Sequence, residues 1–68
     1  MNKNQLIGRL VIASNKIRNL GSLLKSQEDA IQHEYKDEAQ AMNRECKRLV
    51  NVLLSLVSQL QTDIRRLN

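Results

Sequence analysis

Aliphatic residues recur three and four apart along almost the whole chain, and their phase changes once. The first run is Leu6, Leu10, Ala13, Ile17, Leu20, Leu24 and Ile31. The second is Ala39, Met42, Cys46, Leu49, Leu53, Leu56, Leu60 and Leu67. Such steps draw one stripe down an α-helix, the pattern of a coiled-coil seam or of one arm of a helical hairpin. Between the runs, Ile31, Tyr35 and Ala39 are four and four apart, which rotates the second stripe against the first. There is no proline and there are two glycines. The spacing predicts an all-α protein, an antiparallel two-helix hairpin of coiled-coil character spanning residues 1–68 as one domain.

Two places qualify for the turn. Gly21-Ser22 is one, with Gly21 ending a helix and Ser26-Gln27-Glu28-Asp29 forming a capping box for the next. The segment His33 to Asp37 is the other, since the phase shift falls there and Asp37 suits an N-cap with Gln40 three residues on. The first stripe continues in phase across Gly21, as it does when a helix tolerates a glycine at about 1 kcal/mol. A turn at 33–37 also leaves arms of equal length, roughly 45 Å each at 1.5 Å per residue. The expected elements are helices over about 3–32 and about 38–67. Pairing the stripes in this phase sets Ile17 near Leu56, Leu24 near Leu49 and Ile31 near Met42.

The hairpin core expected from the stripes is Leu10, Ile17, Leu20, Leu24, Ile31, Met42, Leu49, Leu53, Leu56 and Leu60. Such a core is thin. The 68 residues include no Trp, no Phe and one Tyr, so the apolar material is nearly all aliphatic. At about 25 cal/mol per Å² of apolar surface removed from water, two helices along one seam hardly offset the entropy of ordering the chain. The expectation is a hairpin stabilised by a partner or by dimerisation.

Several aliphatic residues lie off the stripes. Ile7, Val11 and Ile12 flank the first, and Val50, Val52, Leu54, Val57 and Ile64 flank the second. A two-helix hairpin covers one stripe per helix, and contiguous exposed apolar area usually marks an interface. Ile7, Val11, Ile12, Val50, Leu54 and Val57 are therefore the expected partner-binding residues. Either a self-associating four-helix bundle or docking on the groove of a different protein satisfies them.

Catalytic chemistry is not indicated. His33 stands alone among acids, and Cys46, thirteen residues away, falls on the stripe as a small buried hydrophobe, so no metal or redox site is expected. Glu34, Asp37 and Glu38 are close in sequence, but a two-helix rod offers no cleft to shift their pKa values. No Gly-rich phosphate loop is present. The chain is expected to have no catalytic residues, no metal, no cofactor and no small-molecule substrate. A single cysteine makes no internal disulfide, which fits a reducing compartment.

The net charge of +4 is unevenly spread. Residues 1–27 hold Lys3, Arg9, Lys16, Arg18 and Lys25 without an acid, and residues 28–38 are acidic. Arg44, Lys47 and Arg48 make the last stretch mildly basic. Because these bases scatter around the helices and only Tyr35 is available to stack a base, nucleic acid is not the expected partner. A homodimeric bundle that regulates by binding RNA or another protein is the alternative reading. Arg9 interrupts any secretory h-region, and the Leu49 to Leu60 segment is too short to span a membrane, so a soluble cytoplasmic chain is expected.

The stretch Gln40-Ala41-Met42-Asn43-Arg44-Glu45-Cys46-Lys47-Arg48-Leu49, with the aliphatic run to Ile64, resembles the second helix of the small type III secretion co-chaperones, the YscE-like proteins. The likeness is carried by Gln40, the Arg44-Glu45 pair, Lys47 and Leu49. It covers about the last thirty residues, and the first half matches as an amphipathic helix alone. Where that family turns through a Gly-rich segment, this chain has His33 to Asp37 without glycine. The resemblance implies a helical hairpin that binds a small tetratricopeptide-like chaperone, the pair holding a secretion needle subunit unpolymerised in the cytoplasm. The needle subunit itself is a near neighbour in kind, but it turns through a proline-containing loop and this chain has no proline.

Overall fold

The computed structural model describes residues 2–67 and contains two α-helices of equal length, α1 (Lys3–Gln32) and α2 (Lys36–Arg65), packed against each other as a hairpin. The molecule measures 52 × 15 × 10 Å. Its radius of gyration is 15.6 Å, against about 11 Å for a compact chain of this length. It is a rod.

α1 starts from a reciprocal cap. The Gln5 backbone N–H donates to Asn2 Oδ1 at 2.8 Å, and the Asn2 N–H donates back to Gln5 Oε1 at 3.4 Å. The two bonds satisfy donors that a helix start otherwise leaves without partners. The helix then runs through Gly21, and Ser26 and Glu28 lie inside it, so the earlier turn and its capping box do not form. The chain reverses at residues 33–35, and Tyr35, not Asp37, is the N-cap of α2. Asp37 instead sits in the first turn of α2 with Glu38, where both acids face the positive end of the helix dipole.

The reversal is a Schellman turn. The Tyr35 N–H donates to the Ala30 carbonyl at 2.8 Å, and the Glu34 N–H donates to the Ile31 carbonyl at 3.0 Å. Both bonds close over Glu34, whose φ of 62° lies in the left-handed region usually occupied by glycine. His33 caps α1, with its Nδ1 2.8 Å from the Asp29 carbonyl oxygen and its ring stacked on Tyr35 at 5.7 Å.

The seam between the helices has an unbroken seven-residue repeat. On α2 it comprises Ala39, Met42, Cys46, Leu49, Leu53, Leu56, Leu60 and Asp63, all buried or half-buried. On α1 it comprises Leu6, Arg9, Ala13, Lys16, Leu20, Leu23, Gln27 and Ala30. The second stripe lies where the periodicity puts it, except that Asp63 ends it and Leu67 lies exposed beyond the helix.

The first stripe is corrected. Leu10, Ile17, Leu24 and Ile31, expected in the core, are all exposed, and the seam runs one residue to their side through Arg9, Lys16, Leu23 and Ala30. The pairings of Ile17 with Leu56, Leu24 with Leu49 and Ile31 with Met42 therefore do not describe the seam. Arg9 faces Asp63 and Gln27 faces Asn43 instead. The cause is chemical: α1 spends three seam positions on Arg9, Lys16 and Gln27, so its largest aliphatic series is not its buried one.

Candidate interaction face

Small residues bring the helices together at Ala13, Ala30, Ala39 and Cys46. The leucines between them are covered only in part. Leu6, Ala13 and Leu60 form the buried cluster, with Leu56 packed against it, and no large side chain in the described residues is fully buried. Near the open end the seam becomes polar. Arg9 donates to Asp63 Oδ2, and Gln59 Nε2 donates to Asp63 Oδ1 at 3.1 Å. Asp63 is 3% exposed. Burial alone pushes its carboxyl up, but the hydrogen bonds from Gln59 and Arg9 and the charges of Arg9 and Arg66 outweigh that and hold it below the ordinary 3.8. This is an ion pair within the seam between the helices.

The outer surface has two unlike sides. On α1, Leu10, Ile17, Leu24 and Ile31 each follow a seam residue by one position. On α2, Asn43, Val50, Val57 and Ile64 do the same. Each stripe is displaced in the same rotational sense from its seam. In antiparallel helices that sense brings both stripes to the same side of the pair. The turn end shows it directly: a shallow groove there is lined by Ile31, Gln40 and Asn43 together, with the charged Glu34, Lys36 and Arg44 around it, and Gln27 on α1 donates to Asn43 Oδ1 at 3.2 Å. The groove on the other side is lined by Ser26, Asp29 and Glu38. One side of the rod is thus a continuous aliphatic face, with no charged residue between Leu10 and Ile31 or between Asn43 and Ile64 in the two stripes. Ile7 and Leu54 extend its rim.

All six residues expected to bind a partner are exposed, from Val50 at 39% to Leu54 at 62%. The structure brings four of them together: Ile7, Val50, Leu54 and Val57 share the aliphatic side. Val11 points away from the hairpin axis, and Ile12 belongs to the opposite, more polar side. The residues that complete the face are Leu10, Ile17, Leu24 and Ile31, which sequence reasoning assigned to the core, and Ile64. Their own seven-residue spacing was the available signal. It shows that they form a stripe but not which neighbour the stripe meets.

His33 and Cys46 lie in different environments, the one exposed at the turn and the other buried in the seam. Among the described residues no group of three or more His, Cys, Asp or Glu side chains converges as a metal site. No described helix is long and apolar enough to cross a membrane. Fold and surface together define a class, an antiparallel helical hairpin with one uncovered aliphatic side. No family model, curated protein or solved structure matches the chain.

Proposed function

We propose that this chain is a non-catalytic interaction hairpin that lays its aliphatic face on a helical protein partner. The observation that carries the reading is that face: a row of half-uncovered leucines, isoleucines and valines on a rod whose own seam fully buries no large side chain. Apolar area of this kind on a thin helical scaffold is suited to helix-in-groove recognition. The resemblance of residues 40–64 to the YscE-like co-chaperones names the partner. In this reading the chain is a cytoplasmic co-chaperone, the partner is a small tetratricopeptide-like chaperone, and the pair keeps a type III secretion needle subunit from polymerising. The inner seam holds the hairpin and the outer face holds the partner.

A tagged pull-down from the native host, with and without nuclease, tests this. Recovery of a tetratricopeptide-like protein that survives nuclease and moderate salt, with a needle subunit beside it, is the expected result. Recovery that depends on RNA, or a tetratricopeptide-like protein that fails to bind the purified chain, counts against it. Leu54→Glu, on the rim and 62% exposed, is expected to abolish capture while far-UV circular dichroism stays helical. Unchanged partner affinity would remove this face from the interface.

A further inference from the structure

We propose that in the absence of another partner a second copy of this chain covers the aliphatic face, so that two hairpins pack face to face as a four-helix bundle. The proposal goes beyond the partner reading, because it concerns the chain alone and does not depend on what other protein the face meets.

Area is the first argument. The hairpin exposes 5473 Å², whereas a compact monomer of 7.8 kDa exposes about 4,400 Å². That excess of about 1,100 Å² belongs to an elongated rod, and packing one long side against another is the way to remove surface on the scale of the roughly 800 Å² that each partner contributes to a stable interface. Pattern is the second. A helix in a four-helix bundle meets two neighbours and needs two adjacent stripes, and both helices of this chain carry them. On α1 the inner stripe holds Leu6, Ala13 and Leu20, and the outer one holds Leu10, Ile17 and Leu24.

Charge and shape are the third. The stripes between Leu10 and Ile31 and between Asn43 and Ile64 carry no charge, so a twofold axis through the centre of the face opposes no like charges there. The charges sit at its margins, Glu28 and Lys47 in the rows of Ile7 and Leu54, and Glu34, Lys36 and Arg44 around the groove at the turn end. Along its outer edge α1 presents Ser14 and Gly21 between the large residues. A Cβ built on Gly21 meets nothing within 4 Å, so this edge is open to solvent in the lone hairpin.

Sedimentation equilibrium on the purified chain, from micromolar to submillimolar concentration, tests the proposal, with a mass of twice 7.8 kDa expected. Leu24→Ala keeps a good helix former, and it is expected to raise the dimer dissociation constant by about tenfold or more. Ile12→Ala, on the opposite side, is expected to leave it within about twofold. A hairpin that unfolds on dissociating still reports the contact: its thermal midpoint rises with protein concentration, and Leu24→Ala shifts that dependence while Ile12→Ala does not. A single-chain mass with a concentration-independent midpoint overturns the proposal, as does a dissociation constant unmoved by Leu24→Ala. Loss of self-association with partner capture intact sinks this inference alone, and a dimer without a captured partner sinks only the co-chaperone reading.

Discussion

Glu34 occupies the one backbone position in the described residues where a side chain is out of place. Its φ of 62° closes the Schellman turn, and an L-residue there costs about 1–2 kcal/mol relative to right-handed backbone. Glycine removes that cost but adds unfolded-state entropy, so Glu34→Gly is expected to stabilise the hairpin by a net amount of about 0.5–1 kcal/mol. A higher urea midpoint with an unchanged m value checks this, and a lower midpoint refutes it. At the other end of the rod, the hydrogen bonds and charges around Asp63 hold its carboxyl below 3.8 despite burial. Because the folded value is the lower one, the stabilisation is complete above the unfolded value and disappears as pH falls through the folded value. Asp63→Asn is expected to be less stable than the parent at neutral pH. The gap should close as the pH is taken below the lowered folded value of Asp63, where both side chains are neutral. Parallel stability curves across that range would show that the charge contributes nothing. Neither residue was legible beforehand. Nothing in His33-Glu34-Tyr35 announces a left-handed residue, and Asp63 reads as a solvated helix charge until Arg9 is known to face it.

At the scale of the helices, the two arms were legible to different depths. α2 concentrates its aliphatic residues on the seam and around it, so the periodicity from Ala39 to Leu60 identifies its buried face directly. α1 carries two stripes of comparable apolar character, and the one with the larger side chains faces solvent. Alanine, arginine, lysine and glutamine occupy most of its real seam, and only the partner helix reveals that a guanidinium and a carboxamide belong there. The arm boundaries follow from simpler facts: no proline, a phase shift near residue 35, and acids that suit the first turn of α2. Leu60 and Leu6 are the best-buried large residues of the seam. Leu60→Ala is expected to cost about 2–5 kcal/mol. In a chain with so little core that is enough to melt both helices together, read as loss of the far-UV helical signal. Retention of one arm's helicity would show that the arms fold separately. Gly8, by contrast, is exposed within α1 with open space around a built Cβ. Gly8→Ala should therefore add about 0.5–1 kcal/mol through helix propensity alone, measured by thermal melting.

For the whole molecule, the rod shape and the uncovered face have one cause. Two helices of thirty residues have only one mutual seam, and a second apolar stripe on each has nowhere to go within the chain. More residues in the same hairpin would lengthen the rod without covering that stripe. In both readings proposed above the cover comes from outside, from a protein that binds the folded hairpin and not the unfolded chain. Its binding free energy is then added to folding stability, by about 2.7 kcal/mol when the covering protein is present at a hundred times its dissociation constant. The two proposed occupants of the face, a helical partner or a second copy, make the same physical demand. Hydrogen exchange offers the check. Amides across both helices are expected to exchange quickly in dilute protein and to slow together as partner or protein concentration rises, because neither arm has a core of its own. Protection confined to the Leu6, Ala13 and Leu60 end, unmoved by concentration or partner, would mean that the inner seam alone holds the hairpin and that the aliphatic face adds nothing to its stability.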